Sequence, residues 1–352
     1  MNGFRPDVVA LEAYVMSEEP LPVKVNQNEA PWDWPPGLKE EAARRLASLA
    51  FNRYPPFREA ALTRALEGRW DLPEGSILVG NGSNELLQAL FTATLGPGRS
   101  LLMPAPSFGL YAQMAMLAGG RAVALPLTES MAYDPEAWIE AVRRERPEVV
   151  LLCSPNNPTG SVYPAEAMAR LLEEAPGLVV ADEAYAEFSS LPGARRFLPE
   201  ARNLVVLRTF SKAWGGAGLR LGYLMAAPGT AAQVRKALLP YNLSSVTAAL
   251  GLLALENAAL FEERAALLGT ERARLREGLA RFAGLGVYPS EANFLLVRFP
   301  GGIAGGVFGA LKARGILVRR LSGPRLEDCL RMSVGSPEEN DALLAGLAEV
   351  LP

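Results

Sequence analysis

Short apolar runs alternate with amphipathic stretches along the chain from residue 76 to residue 207. The apolar runs predict buried strands at 76–79, 100–103, 121–127, 148–153, 178–181 and 203–207. Between them, hydrophobic positions spaced as on one helix face predict helices at 85–95, 109–118, 134–145 and 165–174. Strands and helices that alternate in this way are typical of an α/β fold with a mostly parallel sheet.

The pattern differs on either side of this block. Residues 1–30 are extended and interrupted by prolines, and helices are predicted at 36–50 and 57–70. A long helical region covers 246–282 with a kink near Asn257, and the last part reads as a second α/β unit with strands at 293–298, 316–319 and 329–334 and helices at 303–314 and 337–350. With 352 residues, we expect an arm (1–30), a large domain (31–260) and a smaller C-terminal α/β domain (261–352).

Five polar or aromatic residues lie just beyond the ends of predicted strands: Asn84, Phe108, Asn157, Asp182 and Lys212. In a parallel sheet, ligands bind in the crevice beyond the carboxyl ends of the strands. The five residues follow five different strands, so we expect the fold to bring them to one crevice.

Composition limits the chemistry available there. The chain has no histidine, which excludes Ser-His-Asp and Cys-His catalysis and the usual zinc sites. It has only five lysines against 30 arginines, which favours a specific role for a lysine in a glycine-rich loop. Cys153 and Cys329 sit in apolar runs without metal-ligand spacing, so buried free thiols and no metal are expected.

Charge and hydropathy bear on partners and location. A net charge of −3 gives no reason to expect nucleic acid or an anionic membrane as a partner. The N-terminus lacks the pattern of a signal peptide, and no apolar run reaches the ~18 residues of a membrane span. We therefore expect a cytoplasmic protein.

The loop that follows residues 203–207 combines a hydroxyl, an amine, glycines and a guanidinium: Ser211, Lys212, Gly215, Gly216 and Arg220. A lysine that is shielded from water among apolar and cationic neighbours forms an imine with an aldehyde. An arginine fork binds phosphate. These groups are what a protein needs to hold pyridoxal 5'-phosphate as a Schiff base. The alternative is a glycine-rich surface loop with an ordinary solvated lysine.

Asp182 ends an apolar strand, where an unpaired carboxylate is costly unless a cation faces it. A protonated pyridine nitrogen is such a cation, and the pair keeps the ring an effective electron sink. Tyr185 could then reach the phenolic oxygen of the same ring. The alternatives for Asp182 are a structural ion pair and a helix cap.

Four further positions fit the same ligand. Ser83 and Asn84 open a helix after a strand, and the free amides there suit the cofactor phosphate. Phe108 could stack on the pyridine ring, and Asn157 could donate to its phenolic oxygen. The alternatives are a helix cap at Ser83 or Asn84, a core aromatic at 108, and a plain Asn-Pro turn at 157.

These motifs resemble those of the class I and II aminotransferases, which have the aspartate aminotransferase fold (PLP-dependent transferase fold type I). The resemblance rests on residues 157–160 (NPTG), 182–185 (DEAY), 211–215 (SKAWG) and 220–223 (RLGY), in matching order and spacing. Within the family the chain most resembles the histidinol-phosphate aminotransferases, through residues 25–29, 53–55, 80–85, 290–294, 329–335 and 338–340.

The resemblance implies a role for each matching residue. It implies that Lys212 is the Schiff-base lysine and Asp182 the pyridine partner. Asn157 and Tyr185 match the contacts to the phenolic oxygen. The matches to the phosphate cradle are Ser83, Asn84, Ser211 and Arg220. Two positions depart from the family: Phe108 stands where tyrosine is usual, and Asn84 where aspartate is common.

The resemblance also implies partners and substrates. Tyr54 matches the tyrosine that reaches the cofactor phosphate of the neighbouring subunit, which implies a homodimer with shared active sites. Arg331 matches the arginine that binds the anionic end of the substrate, and Arg319, Tyr14 and Asn28 are weaker matches to substrate contacts.

The implied reaction is transamination between histidinol phosphate and 2-oxoglutarate, a step of histidine biosynthesis. The alternatives are an aromatic aminotransferase and a threonine-phosphate decarboxylase. A non-catalytic regulator that only binds the cofactor is a further alternative, but no DNA-binding extension accompanies the fold in this sequence.

Overall fold

The computed structural model describes residues 3–13, 19–57 and 59–351. The strands are β1 (Val23–Lys24), β2 (Ile77–Asn81), β3 (Ser100–Ala105), β4 (Arg121–Pro126), β5 (Val149–Cys153), β6 (Leu178–Asp182), β7 (Leu204–Thr209), β8 (Leu221–Ala226), β9 (Gly286–Val287), β10 (Phe294–Arg298), β11 (Ile316–Leu317), β12 (Arg319–Arg320) and β13 (Cys329–Ser333). The α-helices are α1 (Pro6–Val9), α2 (Pro36–Ala47), α3 (Ala60–Trp70), α4 (Ser83–Thr94), α5 (Leu110–Leu117), α6 (Pro135–Glu145), α7 (Ala165–Glu174), α8 (Pro228–Arg235), α9 (Ser245–Glu256), α10 (Ala258–Leu279), α11 (Ala304–Ala313) and α12 (Pro337–Val350).

Seven strands form the central sheet in the order β2-β8-β7-β6-β5-β3-β4. All neighbours pair in parallel except β8, which is antiparallel to both β2 and β7. The predicted α/β class with a mostly parallel sheet is therefore confirmed. Every residue of β5, β7 and β8 is buried, as expected for a sheet that helices cover on both faces.

Most predicted elements are present, with changes at their ends. Helices α7 and α12 have the predicted bounds. Asp134 caps α6 by accepting from two backbone N–H groups, and Ser336 forms a capping box with Glu339 at the start of α12. The predicted kink near Asn257 separates α9 from α10, whose axes differ by 74°.

Two expectations need correction. The predicted strand 316–319 is two short strands, because β11 pairs with β1 whereas β12 pairs with β13 in another sheet. The helix predicted at 85–95 begins earlier, at Ser83, directly after the sharp turn at Gly82. Strand β8 was not predicted at all.

The C-terminal part contains a second sheet, β12-β13-β10-β9, in which all pairs are antiparallel. Strand β1 near the N-terminus pairs with β11, and Val25 donates its backbone N–H to the Leu317 carbonyl and accepts from the Ser333 N–H. The start of the chain is thereby fixed to its last third. The division into units at residues 30 and 260 stays a prediction.

Two sequence-based expectations about composition can be checked directly. Cys153 and Cys329 are buried and free. Within the described ranges, no single helix is long and apolar enough to cross a membrane. The bent pair α9–α10 passes that test by length and composition only, and both helices bury apolar side chains inside the protein.

Candidate active site

A cavity of about 340 Å³ lies at the carboxyl ends of the central strands. Strands β3, β5, β6 and β7 each end at it, because parallel strands present these ends on one edge. It brings together most of the predicted site residues: Asn28, Ser83, Asn84, Phe108, Asn157, Asp182, Tyr185, Ser211, Lys212, Arg220 and Arg331.

Lys212 follows β7 and donates from Nζ to the backbone carbonyl of Gln27 at 2.9 Å. Burial lowers the pKa of Lys212 to about 7, and the cationic Arg331 and Arg220 contribute in the same direction. A substantial fraction of this amine is therefore neutral near pH 7, unlike a solvated lysine. The alternative of an ordinary surface lysine does not fit these surroundings.

Asp182 is the last residue of β6 and is 7% exposed. Its carboxylate accepts from the Tyr111 hydroxyl at 2.7 Å and from the Ala184 backbone N–H at 3.1 Å. Burial raises the pKa of Asp182, and the Tyr111 bond only partly opposes this. A buried carboxylate whose two donors are both neutral favours a cationic ligand.

Tyr111 was missed by the sequence interpretation. It lies three positions after Phe108 in α5, and the two rings meet edge to face with centroids 5.4 Å apart. A tyrosine in a predicted helix at a strand end was the available signal, but nothing in the sequence indicated that its hydroxyl turns to residue 182.

Four polar side chains form one network across the cavity. Asn28 and Asn157 both donate to the Tyr185 hydroxyl, at 3.1 and 3.4 Å. Arg331 donates to Asn157 Oδ1 at 2.6 Å and to the Asn26 carbonyl at 2.7 Å. Burial raises the pKa of Tyr185 to about 12, so the phenol keeps its proton near neutral pH.

The start of α4 forms a concave surface. Gly82 is the N-cap and helix α4 has no side-chain cap, so neither Ser83 nor Asn84 is used in that way. A Cβ at Gly82 would lie 2.7 Å from Arg220 Nη2, and one at Gly222 would lie 2.3 Å from the Ser83 nitrogen. Arg220 reaches Ser211 Oγ at 3.4 Å. Free amides, hydroxyls and a guanidinium therefore surround space suited to a phosphate.

Two predicted residues lie outside the cavity, and a third lies outside the described residues. Tyr54 is 81% exposed, stacks on Tyr241 with ring centroids 4.7 Å apart and does not line the cavity. Arg319 lies on β12 opposite Arg331 in the register, also outside the lining residues. Tyr14 lies outside the described residues.

Comparison with known proteins gives one family. The family described as "Aminotransferase class I and II" matches residues 22–347, and the chain belongs to this family. Histidinol-phosphate aminotransferase 2 of Nitrosococcus oceani is 39% identical over 97% of this chain and 96% of its own length. The histidinol-phosphate aminotransferase of Chromobacterium violaceum is 41% identical over the same shares.

A solved structure shares the fold. The histidinol-phosphate aminotransferase of Sinorhizobium meliloti, in complex with pyridoxal-5'-phosphate, superposes with a TM-score of 0.90 at 27% identity. The match covers 99% of this chain and 98% of that one. The expected fold type and family are thereby confirmed.

Proposed function

We propose that this chain, as a class I and II aminotransferase, uses pyridoxal 5'-phosphate to transfer an amino group from histidinol phosphate to 2-oxoglutarate. The products are imidazole acetol phosphate and glutamate, and the step belongs to histidine biosynthesis. The observation that carries the proposal is the match of almost the whole chain to histidinol-phosphate aminotransferases at 39–41% identity. The geometry around Lys212 supports it.

The cavity fits this cofactor. When bound, pyridoxal 5'-phosphate supplies an aldehyde that combines with amines and a ring that stores an electron pair from the substrate carbon. Asp182 would hold the protonated ring nitrogen, since its buried carboxylate accepts only from neutral donors in the part of the chain that the structure describes. The phosphate cradle requires glycine at positions 82 and 222, because a side chain at either position would collide with Arg220 or with the backbone of Ser83.

The chain's residues divide the remaining work. Asn157 and Tyr185 would bind the phenolic oxygen, and Phe108 would lie against the ring face. The phosphate would bind to Ser83, Asn84, Ser211 and Arg220. Tyr111 positions the Asp182 carboxylate through its hydroxyl at 2.7 Å.

Lys212 moves the proton. Its pKa of about 7 would let Nζ take a proton from the substrate carbon and deliver it to the cofactor carbon without a large energetic penalty near neutral pH. The Gln27 carbonyl, 2.9 Å from Nζ, holds the amine inside the cavity.

Arg331 would bind the anionic end of each substrate, because carboxylate and phosphate both fit a guanidinium fork. Its bonds to Asn157 and to the Asn26 carbonyl fix the guanidinium at the cavity wall. Asn28 reaches the same region through Tyr185. Arg319 and Tyr14 stay candidates for a further substrate contact, with Arg319 as the one that only a longer phosphorylated amine reaches.

We also propose a cytoplasmic homodimer with shared sites and without nucleic-acid or membrane partners. The homodimer is supported by an exposed aromatic and aliphatic surface that contains Tyr54, Phe57, Leu239 and Tyr241, since exposed patches of this kind mark interfaces. To test sharing, chains carrying both Tyr54→Phe and Lys212→Ala are mixed with wild type. Sharing leaves no intact site in the heterodimer, whereas a heterodimer site with wild-type cofactor affinity contradicts it.

The substrate is tested with purified protein, 2-oxoglutarate and a panel of amino donors. We expect the highest kcat/KM with histidinol phosphate. Preference for phenylalanine or tyrosine would indicate an aromatic aminotransferase, and release of CO₂ from threonine phosphate would indicate the decarboxylase. Cofactor binding without turnover of any amine would leave only a regulator.

A further inference from the structure

The hydroxyl of Tyr185 accepts two hydrogen bonds and donates none within the described part of the chain. Asn28 Nδ2 and Asn157 Nδ2 donate to it at 3.1 and 3.4 Å. Tyr185 is 5% exposed and lines the cavity of the candidate active site. A buried hydroxyl normally donates its own hydrogen as well. Because both lone pairs of this oxygen are used, its hydrogen is left for a molecule in the cavity.

Arg331 fixes the orientation of the Asn157 amide. A guanidinium can only donate, and Arg331 Nη1 lies 2.6 Å from Asn157 Oδ1. The amide oxygen therefore faces Arg331, and Nδ2 faces Tyr185. The reversed amide would place two donors against each other, so Asn157 has one orientation.

The orientation of the Asn28 amide depends on a hydroxyl instead. Asn28 Oδ1 accepts from Ser333 Oγ at 2.8 Å, and the same Oγ accepts from the Asn28 backbone N–H at 2.9 Å. The Asn28 carbonyl accepts from Asn293 Nδ2 at 3.1 Å. These bonds hold the Asn28 backbone at a φ of +56°, in the left-handed region that asparagine tolerates. The backbone is thereby fixed, and the direction of the amide remains to be decided.

A reversed Asn28 amide would change what Tyr185 can offer. Asn28 Oδ1 would then face the phenol, and Tyr185 would donate its hydrogen to Asn28 instead of to the cavity. The same reversal would leave the Ser333 hydroxyl hydrogen unpaired, since Asn28 Oδ1 is its acceptor within the described ranges. Ser333 is 3% exposed, and an unpaired buried donor is costly. The Ser333 hydroxyl therefore disfavours the reversed amide.

We propose that Ser333 is a positioning residue for the reaction, which acts through Asn28 to keep the Tyr185 hydroxyl hydrogen directed into the cavity. There the hydrogen would bind the phenolic oxygen of the cofactor. The inference rests on the proposed function, because it needs this acceptor in the cavity. It assigns a role to a buried residue of β13 that does not itself line the cavity.

The experiment measures binding to cofactor-free protein by calorimetric titration with two probes. One probe is 4-deoxypyridoxine 5'-phosphate, which keeps the phenolic oxygen and has no aldehyde to react with Lys212. The other is its analogue without the ring hydroxyl. In Ser333→Ala, the first probe should bind about tenfold more weakly than to wild type, because Asn28 is free to take the Tyr185 hydrogen. The second probe should keep its wild-type affinity.

The ratio of the two dissociation constants separates positioning from a general disturbance, which would weaken both probes alike. Ser333→Thr keeps the hydroxyl and should keep the wild-type ratio. In Tyr185→Phe, adding Ser333→Ala should not change the ratio further, since the two residues act through one hydrogen bond. Ser100→Ala is the matched control, because Ser100 is also a buried strand serine but begins β3, at the end away from the cavity. It should bind both probes normally.

If Ser333→Ala folds poorly, Ser333→Cys serves as the second variant. Its thiol is a weak donor of similar size, so the ratio should change in the same direction by a smaller factor. An unchanged ratio in these variants, or equal weakening of both probes, would overturn the inference while leaving the proposed function intact. Wild-type protein that binds neither probe would overturn the proposed function and the inference with it.

Discussion

Asp182 and Glu183 are consecutive in the chain and both are buried, but they have opposite surroundings. Glu183 accepts from the buried guanidinium of Arg208 at 2.7 Å and from the Ala194 backbone N–H. Burial alone would lower the pKa of Arg208, but Glu183 and Glu187 outweigh it and hold that pKa above its usual value. Among the described residues, Asp182 accepts only from the Tyr111 hydroxyl and one backbone N–H, and burial raises its pKa.

The difference indicates a structural role for Glu183 and a ligand-binding role for Asp182, although the two residues are adjacent. A buried carboxylate that the chain pairs with its own cation stabilises the fold only as long as both partners are present. A buried carboxylate with neutral donors is set up for a cation from outside. Lys212 is similarly set apart among the cations, because burial, and after it the nearby Arg331 and Arg220, disfavour its charged form and lower its pKa.

The largest expected effect is on the catalytic lysine. Lys212→Ala should reduce both half-reactions by about four orders of magnitude or more, because it removes both the covalent attachment and the proton carrier. Stopped-flow measurement of each half-reaction checks this. In the wild type, borohydride should fix the cofactor to Lys212, and a peptide map that places the adduct on Lys236 or Lys24 would contradict the assignment.

The next effect concerns stability. Arg208→Ala should lower the free energy of unfolding by about 3–5 kcal/mol, because Glu183 is left buried and unpaired. Asp182→Asn should change it by less than about 1 kcal/mol in cofactor-free protein, since the amide oxygen still accepts from Tyr111. Urea unfolding of the cofactor-free forms compares the two. Equal losses would show that Asp182 is also a structural ion-pair residue.

A smaller effect is expected for the substrate arginines. Arg331→Ala should weaken both half-reactions by roughly one to two decades, the loss of a charge-assisted bond of about 1.5–3 kcal/mol. Arg319→Ala should slow the phosphorylated amine more than glutamate. Single-turnover rates with each amine measure both. Equal losses with both amines in Arg319→Ala, or no loss, would remove Arg319 from the site.

The smallest effect is a shift in pH dependence. The reaction of Lys212 with a small aldehyde in cofactor-free protein should rise with pH and level off above about pH 7, because the neutral amine reacts. Arg331→Ala should move the midpoint upward, since Arg331 contributes to the lowered pKa. A midpoint near pH 10 in the wild type would mean that the amine is solvated.

The sequence was sufficient for the alternation of strands and helices and for the convergence of five strand ends, since both follow from local pattern and from the rules of parallel sheets. It was not sufficient for β8. Residues 220–223 were assigned to a motif, and the direction in which Leu221–Ala226 enters the sheet depends on β2, far away in the chain.

The sequence also did not predict which side chains contact one another. Asp182 and Glu183 look alike in a DEAY motif, and only the fold shows that Arg208 faces Glu183 while Tyr111 faces Asp182. The same holds for the break at Val318, where two short strands enter different sheets because one of them pairs with the N-terminal segment.

The position of the N-terminal segment Val25–Gln27 affects the order in which the active site forms during synthesis. Gln27 and Asn26 offer carbonyls to Lys212 and Arg331, and Val25 bonds to Leu317 and Ser333. Synthesis makes Val25–Gln27 early, Lys212 later and Leu317, Arg331 and Ser333 later still, so most partners of the segment are missing until residue 333 has been made. The central sheet can form beforehand on the ribosome, but the cavity cannot close. Cofactor capture is therefore expected to be one of the last events in the maturation of each chain.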